Sequence, residues 1–160
     1  MVRSKVTLVK YVESHEDALR DMLITFSKEV YKSDIDTVDV KTFVECHSLV
    51  YIVEVNNLPI GFITYMKQDY FGLREPTIAV NYAYLKEKYR KGRTTFSLAI
   101  NQLEVAIAND LPLVHFYASK DSKMFFDRME GTLLFNAYEF NLDTIRKQHD
   151  LLINKKNRRR

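Results

Sequence analysis

Apolar positions along this chain switch between two periods, one that suits strands and one that suits helices, and the switches mark the elements. Residues 5–12 read as a first strand. Ser14 then opens a helix with Asp17 as the partner of a capping box, and Leu19, Met22, Leu23, Phe26 and Val30 share one face. A shorter helix over 37–46 buries Val40, Phe43 and Val44. Two β-rich runs in YIVEVNNLPIGFITY, residues 51–65, flank Asn56-Asn57, and asparagine tolerates the left-handed backbone that a tight hairpin needs. Residues 75–85 form another strand, through Ile78, Val80, Tyr82 and Tyr84. A long helix runs to about residue 109, its apolar face formed by Phe96, Ala99, Ile100, Leu103, Ala106 and Ile107. Residues 113–118 form a strand. Asp121 or Ser122 caps a short helix with Met124, Phe125 and Met129, and residues 133–142 form a closing strand. A polar helix precedes a basic end. No internal repeat or linker interrupts this order, so the pattern predicts one mixed α/β domain.

Composition narrows the class. With 46% hydrophobic and 28% charged residues, 160 residues make one globular domain large enough to bury a core. The single cysteine, Cys46, rules out an internal disulfide and fits a reducing compartment. With His47 it makes a cluster of two, too few for a structural zinc site, so no metal is expected. No apolar run approaches the roughly 18 residues of a membrane span, and the N-terminal stretch lacks the apolar core of a signal peptide. A cytoplasmic protein without membrane contact is the expectation. The net charge of +3 is unevenly placed: residues 146–160 hold seven Lys or Arg against Asp150 alone, which makes that segment +6 and the rest −3. Lys155, Lys156, Arg158, Arg159 and Arg160 could contact nucleic-acid phosphates or serve only as a solvated end.

The chemistry concentrates at KYRKGRTT, residues 88–95, between a strand and a helix. Such a loop holds phosphates: free N–H groups at the helix start point outward, Gly92 permits positive φ, and the helix dipole favours an anion. The other reading is an ordinary connection with solvated lysines. G-x-S-x-G, H-E-x-x-H and the nucleotide-binding Gly-Lys-Ser/Thr loop are all absent from the sequence. Four glycines, Gly61, Gly72, Gly92 and Gly131, cannot build a dinucleotide fingerprint. The aromatics alternate within strands at core-like spacing, which favours packing over base stacking.

Taken together, the order β-α-α-β-β-β-α-β-α-β and three segments resemble the GNAT superfamily of acyl-CoA-dependent N-acyltransferases, over roughly residues 5–142. VEVNNLPIGFITY resembles the family's hairpin with its apolar residue and glycine, here Ile60-Gly61. KYRKGRTT resembles the pyrophosphate loop, and SKMFFDRMEGTLLFNAYEFNL, residues 122–142, resembles the closing unit. The resemblance implies a single domain over 1–143, with a polar helix and basic tail over 144–160. Its central sheet would be mostly antiparallel, twisted, of six to seven strands flanked by helices. It implies acetyl-CoA as cosubstrate, an amine acceptor, and a cofactor-binding set of Tyr84, Leu85, Arg90, Lys91, Gly92, Arg93, Thr94 and Thr95. Within that set Gly92 falls on the central glycine, whereas Tyr89 stands where Gln or Arg is usual and Thr94 where a small residue is. A homodimer is compatible with the family.

The catalytic pattern departs from the family. Phe125-Phe126 occupies the place of the tyrosine that protonates the leaving thiolate, and residues 76–85 contain no carboxylate to serve as base. Tyr82, Tyr117 and Tyr138 are the substitute hydroxyls, with Tyr84, His115 and Glu139 also on strands, although buried packing or a satisfied hydrogen bond is the better account of each. Three functions therefore stay open: an active N-acyltransferase, a GNAT-like binding or structural component of the kind found in mobile elements and phages, and a nucleic-acid-binding or nucleic-acid-modifying protein that uses the basic tail.

Overall fold

The computed structural model of the chain describes residues 5–69, 72, 75–90 and 93–115. Its elements follow the expected order. Strand β1 spans Val6–Lys10, helix α1 Glu16–Tyr31, helix α2 Val40–Glu45, β2 Leu49–Val55, β3 Leu58–Gln68, β4 Thr77–Leu85, α3 Arg93–Ala108 and β5 Leu113–His115. Short 3₁₀ turns at Glu13–His15 and Glu87–Tyr89 lead into α1 and out of β4. Among the described residues the sheet has five strands in the order β1-β2-β3-β4-β5. The first three pairings are antiparallel and β4–β5 is parallel. The expected sixth and seventh strands, the helix from 121 or 122, and the boundary at 143/144 lie outside the described residues.

The hairpin forms as its sequence dictates. Asn56 and Asn57 both take positive φ, 52° and 62°, which is the backbone twist that matches a two-residue turn to its flanking strands. Gly61 on β3 is required by contact: a Cβ there would lie 2.2 Å from the Tyr84 carbonyl oxygen and 2.7 Å from Leu85 Cδ2. The glycine therefore lets β4 close on β3 at the end where the basic loop begins.

Two cores pack on opposite faces of the sheet. On one, Leu19, Met22 and Leu23 of α1 and Val40 of α2 meet Val50, Ile52, Phe62 and Tyr84. On the other, Leu98, Val105 and Ala106 of α3 meet Val53, Ile63, Tyr65, Ile78 and Val80. Aromatic edges tie the first core together: the Phe26 ring lies 5.6–5.9 Å from the rings of Tyr31, Phe62, Tyr82 and Tyr84, each crossed at 75–87°. Such edge-to-face pairs add roughly 0.5–1.5 kcal/mol each beyond area burial.

Three local expectations change. Ser14 does not cap α1: the chain enters through a 3₁₀ turn, and the Val12 N–H donates to His15 Nδ1 at 3.1 Å instead. His15 is held in turn by Glu54, whose Oε1 lies 3.5 Å from Nε2. Val30, near the C-terminal end of α1, is exposed. The face of α3 also differs. Leu98, Gln102, Val105 and Ala106 are buried, whereas Ile100, Leu103 and Ile107 are 41%, 40% and 77% exposed. Two apolar stripes share the helical period, so spacing alone cannot choose between them. Docking against β1 and the sheet selects the stripe through Leu98 and Val105.

Candidate functional site

A cavity of about 430 Å³ opens between α1, α2, their connection and strands β3 and β4. Its lining includes Phe26, Phe43, His47, Met66, Asn81 and Tyr82, with Ser27, Thr42 and Cys46 as its other polar or thiol side chains and Tyr31, Ile35 and Val38 toward its outer part. Strand β4 is irregular at this level. Thr64 pairs with Tyr82 and Tyr65 with Val80, so Asn81 is an extra residue, a β-bulge. Thr64 Oγ1 accepts the Tyr82 N–H at 3.1 Å, replacing the ladder bond that the bulge removes. Bulges re-aim side chains next to sites, and here Asn81 is exposed into the cavity while Tyr82 turns toward the helices.

Helix α2 brings His47 to the same place. Asp39 caps the helix: its Oδ1 accepts the Thr42 N–H at 3.0 Å and its Oδ2 accepts the Thr42 hydroxyl at 2.7 Å. Those two bonds, the backbone one first, hold its carboxyl below the usual carboxylate range. One turn on, the Phe43 and His47 rings lie with centroids 4.6 Å apart, tilted by 44°, and His47 lies 5.7 Å from the Tyr82 ring, edge-on. His47 Nδ1 donates to the Phe43 carbonyl oxygen at 2.6 Å. In the neutral imidazole that bond places the proton on Nδ1 and leaves the Nε2 lone pair available as an acceptor.

The end of β4 that sequence assigned to cosubstrate binding is more committed. Tyr84 and Leu85 are both buried. Arg90 donates from Nε to the Leu85 carbonyl oxygen at 2.7 Å, pairs with Glu29 of α1, and lies 5.3 Å over the Tyr84 ring. Burial, with the charge of Glu29, pushes the Tyr84 phenol up, and the hydrogen bond to Glu29 raises the Arg90 guanidinium. Thr94 and Thr95 lie on the first turn of α3, half-buried and exposed respectively, and that turn carries no acidic residue. The backbone of Arg93 starts the helix. Lys91, Gly92, Tyr117, Tyr138 and the basic residues from Lys155 to Arg160 lie outside the described residues, as does Phe125-Phe126.

Of the proposed hydroxyls, Tyr82 therefore lines the cavity. Sequence reasoning missed His47, Asn81 and Thr64. The Phe43–His47 spacing of four, following the Asp39–Thr42 capping signal, could have placed His47 on the Phe43 face. The bulge leaves no such mark, because it arises from pairing with Thr64.

Among the described residues no helix is long and apolar enough to cross a membrane, and no three His, Cys, Asp or Glu side chains gather as metal ligands. No family model and no curated protein matches the chain. Solved structures do, and the fold they share is that of the GNAT acetyltransferases. A Trypanosoma brucei acetyltransferase superposes with a TM-score of 0.65 at 11% identity, covering 86% of this chain and 100% of its own. A ribosomal-protein-alanine N-acetyltransferase from Brucella melitensis gives 0.63 at 12%, covering 86% and 99%. AAC(6')-Iy, in complex with the bisubstrate analog CoA-S-monomethyl-acetylneamine, gives 0.61 at 13%, covering 86% and 98%. At such identities the likeness is one of fold.

Proposed function

We propose that this protein transfers an acyl group, most simply acetyl, from acyl-CoA to an amine held in the α1–α2–β4 cavity. The observation that carries the reading is the cavity beside the β4 bulge, lined by His47 and Tyr82, in a chain of GNAT fold. Acyl-CoA would lie along Tyr82–Leu85 through its pantetheine amides. Its phosphates would meet the start of α3, where Lys91, Gly92, Arg93, Thr94 and Thr95 would supply N–H groups, hydroxyls and charge. The CoA-containing analog held by AAC(6')-Iy, a protein of the same fold, supports CoA as the carrier.

The chemistry is direct transfer. The amine nitrogen attacks the thioester carbonyl carbon, the C–N bond forms, and the C–S bond breaks with its electron pair leaving on sulfur. The proton lost by the amine goes to His47 Nε2, and the thiolate takes one proton from the Tyr82 hydroxyl, which His47 and solvent restore. The products are an amide and the free thiol, and no further reactant is needed. Base assistance of this kind contributes about 10²–10⁴-fold in rate.

Calorimetric titration with acetyl-CoA tests the reading. Binding is expected, and Lys91→Ala with Arg93→Ala should weaken it by about 1.5–3 kcal/mol for each charge-assisted hydrogen bond removed. His47→Gln should lower kcat without moving acetyl-CoA affinity. Absence of any acetyl-CoA binding by the folded protein sinks the proposal. It would favour a GNAT-fold protein without acyl transfer, a second reading supported by the commitment of Arg90 to Glu29, Leu85 and Tyr84 rather than to a free phosphate site.

A further inference from the structure

Resting on that reading, we infer that the acceptor is a monoamine carried on an aromatic or branched-alkyl body, and that polycationic amines are poor occupants of this cavity. Among the described residues the lining contains no Asp, Glu, Lys or Arg. Moving several ammonium groups out of water requires carboxylates to pair with them, and an unpaired buried charge is strongly disfavoured. A single amine needs one partner, and the His47 Nε2 lone pair supplies it.

The carboxylates described on the surrounding elements are already engaged or are not among the lining residues. On α1, Glu16 and Asp17 pair with Arg20, and Glu29 pairs with Arg90. At α2, both Asp39 oxygens are held by Thr42, and Glu45 lies 3.9 Å from Lys41. Asp21, Asp34 and Asp36 are exposed and do not line the cavity.

What the cavity does offer is ring edges and uncovered apolar surface. Phe43 and Tyr82 are only partly buried although they pack against the α1-side core, and His47 completes the aromatic wall. Around them Tyr31, Ile35 and Met66 are 56%, 40% and 38% exposed. Apolar side chains left open around a concave site are what an apolar ligand body covers, and an aromatic ring fits the edge-to-face geometry of the wall. The cavity volume of about 430 Å³ lies in the range of small-molecule sites.

The test uses the full chain with 2-phenylethylamine and kanamycin as probes. Thiol release from acetyl-CoA is measured with each amine, and 2-phenylethylamine binding is measured by calorimetry without cosubstrate. The double variant Ile35→Ser with Met66→Ser changes two exposed side chains, which spares the core. The expected result is acetylation of 2-phenylethylamine but not of kanamycin, with 2-phenylethylamine affinity falling about tenfold in the double variant. If 2-phenylethylamine binds and the variant weakens it while neither amine is acetylated, the cavity inference stands and the acyl-transfer reading falls. Preferential acetylation of kanamycin overturns the inference while upholding acyl transfer. Failure of 2-phenylethylamine to bind, or binding that the double variant leaves unchanged, also overturns it, and the separate acetyl-CoA titration then decides the fate of the wider reading.

Discussion

At the scale of single residues, Gly61 and Tyr65 make opposite demands on β3. Gly61 faces the Tyr84 carbonyl oxygen at a distance no side chain tolerates, so Gly61→Ala must push β4 away or shift the backbone of both strands. Overpacking of this kind costs about 1–3 kcal/mol, and rigid backbone on the opposing side places this case at the upper end. Chemical denaturation would measure it, and a cost below about 0.5 kcal/mol would mean that the two strands separate easily there. Tyr65 presents the reverse case. Its side chain is fully buried, its hydroxyl has no hydrogen-bond partner among the described residues, and burial pushes its phenol up. A buried donor without a partner is a cost that the folded state carries. Tyr65→Phe removes the oxygen and keeps the ring, including its edge-on contact with Tyr51 at 5.8 Å. The variant should be as stable as the parent or more stable, by about 1 kcal/mol. A loss of stability on making it would show that the hydroxyl has a partner after all.

Among the elements, α2 is the one whose integrity decides the cavity. Six residues are too few to hold a helix by backbone bonding alone, so its cap and its contacts must do so. Val40 is the buried anchor, and Asp39 accepts from both the Thr42 N–H and the Thr42 hydroxyl. The direction of the pH effect follows from those bonds. They hold the Asp39 carboxyl below its ordinary range, so the folded state prefers the ionised form. The contribution is present above the ordinary carboxylate value. It is lost as pH falls through the depressed native value, where the proton occupies the accepting oxygens. The protection of the α2 amides against exchange, relative to the intrinsic rate at each pH, should therefore fall in acid before that of the sheet amides, and Asp39→Ala should reproduce that loosening at neutral pH. If acid leaves the order of exchange unchanged, the cap is not what holds α2. His47 gives the same element a functional readout, since its ring sits on Phe43 and moves with the helix.

Over the whole molecule, the parts legible from sequence are those fixed by neighbours along the chain. The Asn56-Asn57 turn announces its hairpin, since both residues take left-handed φ, and the two β-rich runs beside it pair as β2 and β3. The run Leu19, Met22, Leu23 marks the face by which α1 meets the sheet. What escaped sequence reading depends on partners far away. Arg90 meets Glu29 from 61 residues off, so its reading as a free loop cation could not be weighed against that pair. The bulge at Asn81 depends on Thr64, and the exposed stripe of Ile100, Leu103 and Ile107 depends on which face of α3 the sheet accepts. The same distinction bears on how ligands should act on stability. Acyl-CoA, as placed here, bridges the end of β4 and the start of α3, whereas the amine bridges α1, α2 and β4. Each ligand binds the folded state alone, so each stabilises by mass action, about 2.7 kcal/mol at a free concentration one hundred times its Kd. For a chain of 160 residues that is a rise in Tm of roughly 5–10 °C, at about 2–4 °C per kcal/mol. Free CoA, which cannot acylate the amine, and 2-phenylethylamine should then together raise Tm beyond either alone, because the two sites, as proposed, meet only at Tyr82. A thermal scan with each ligand and with both checks this. If the second ligand gives no further rise, the two compete for one surface, and the separation of cosubstrate and acceptor sites on β4 is wrong.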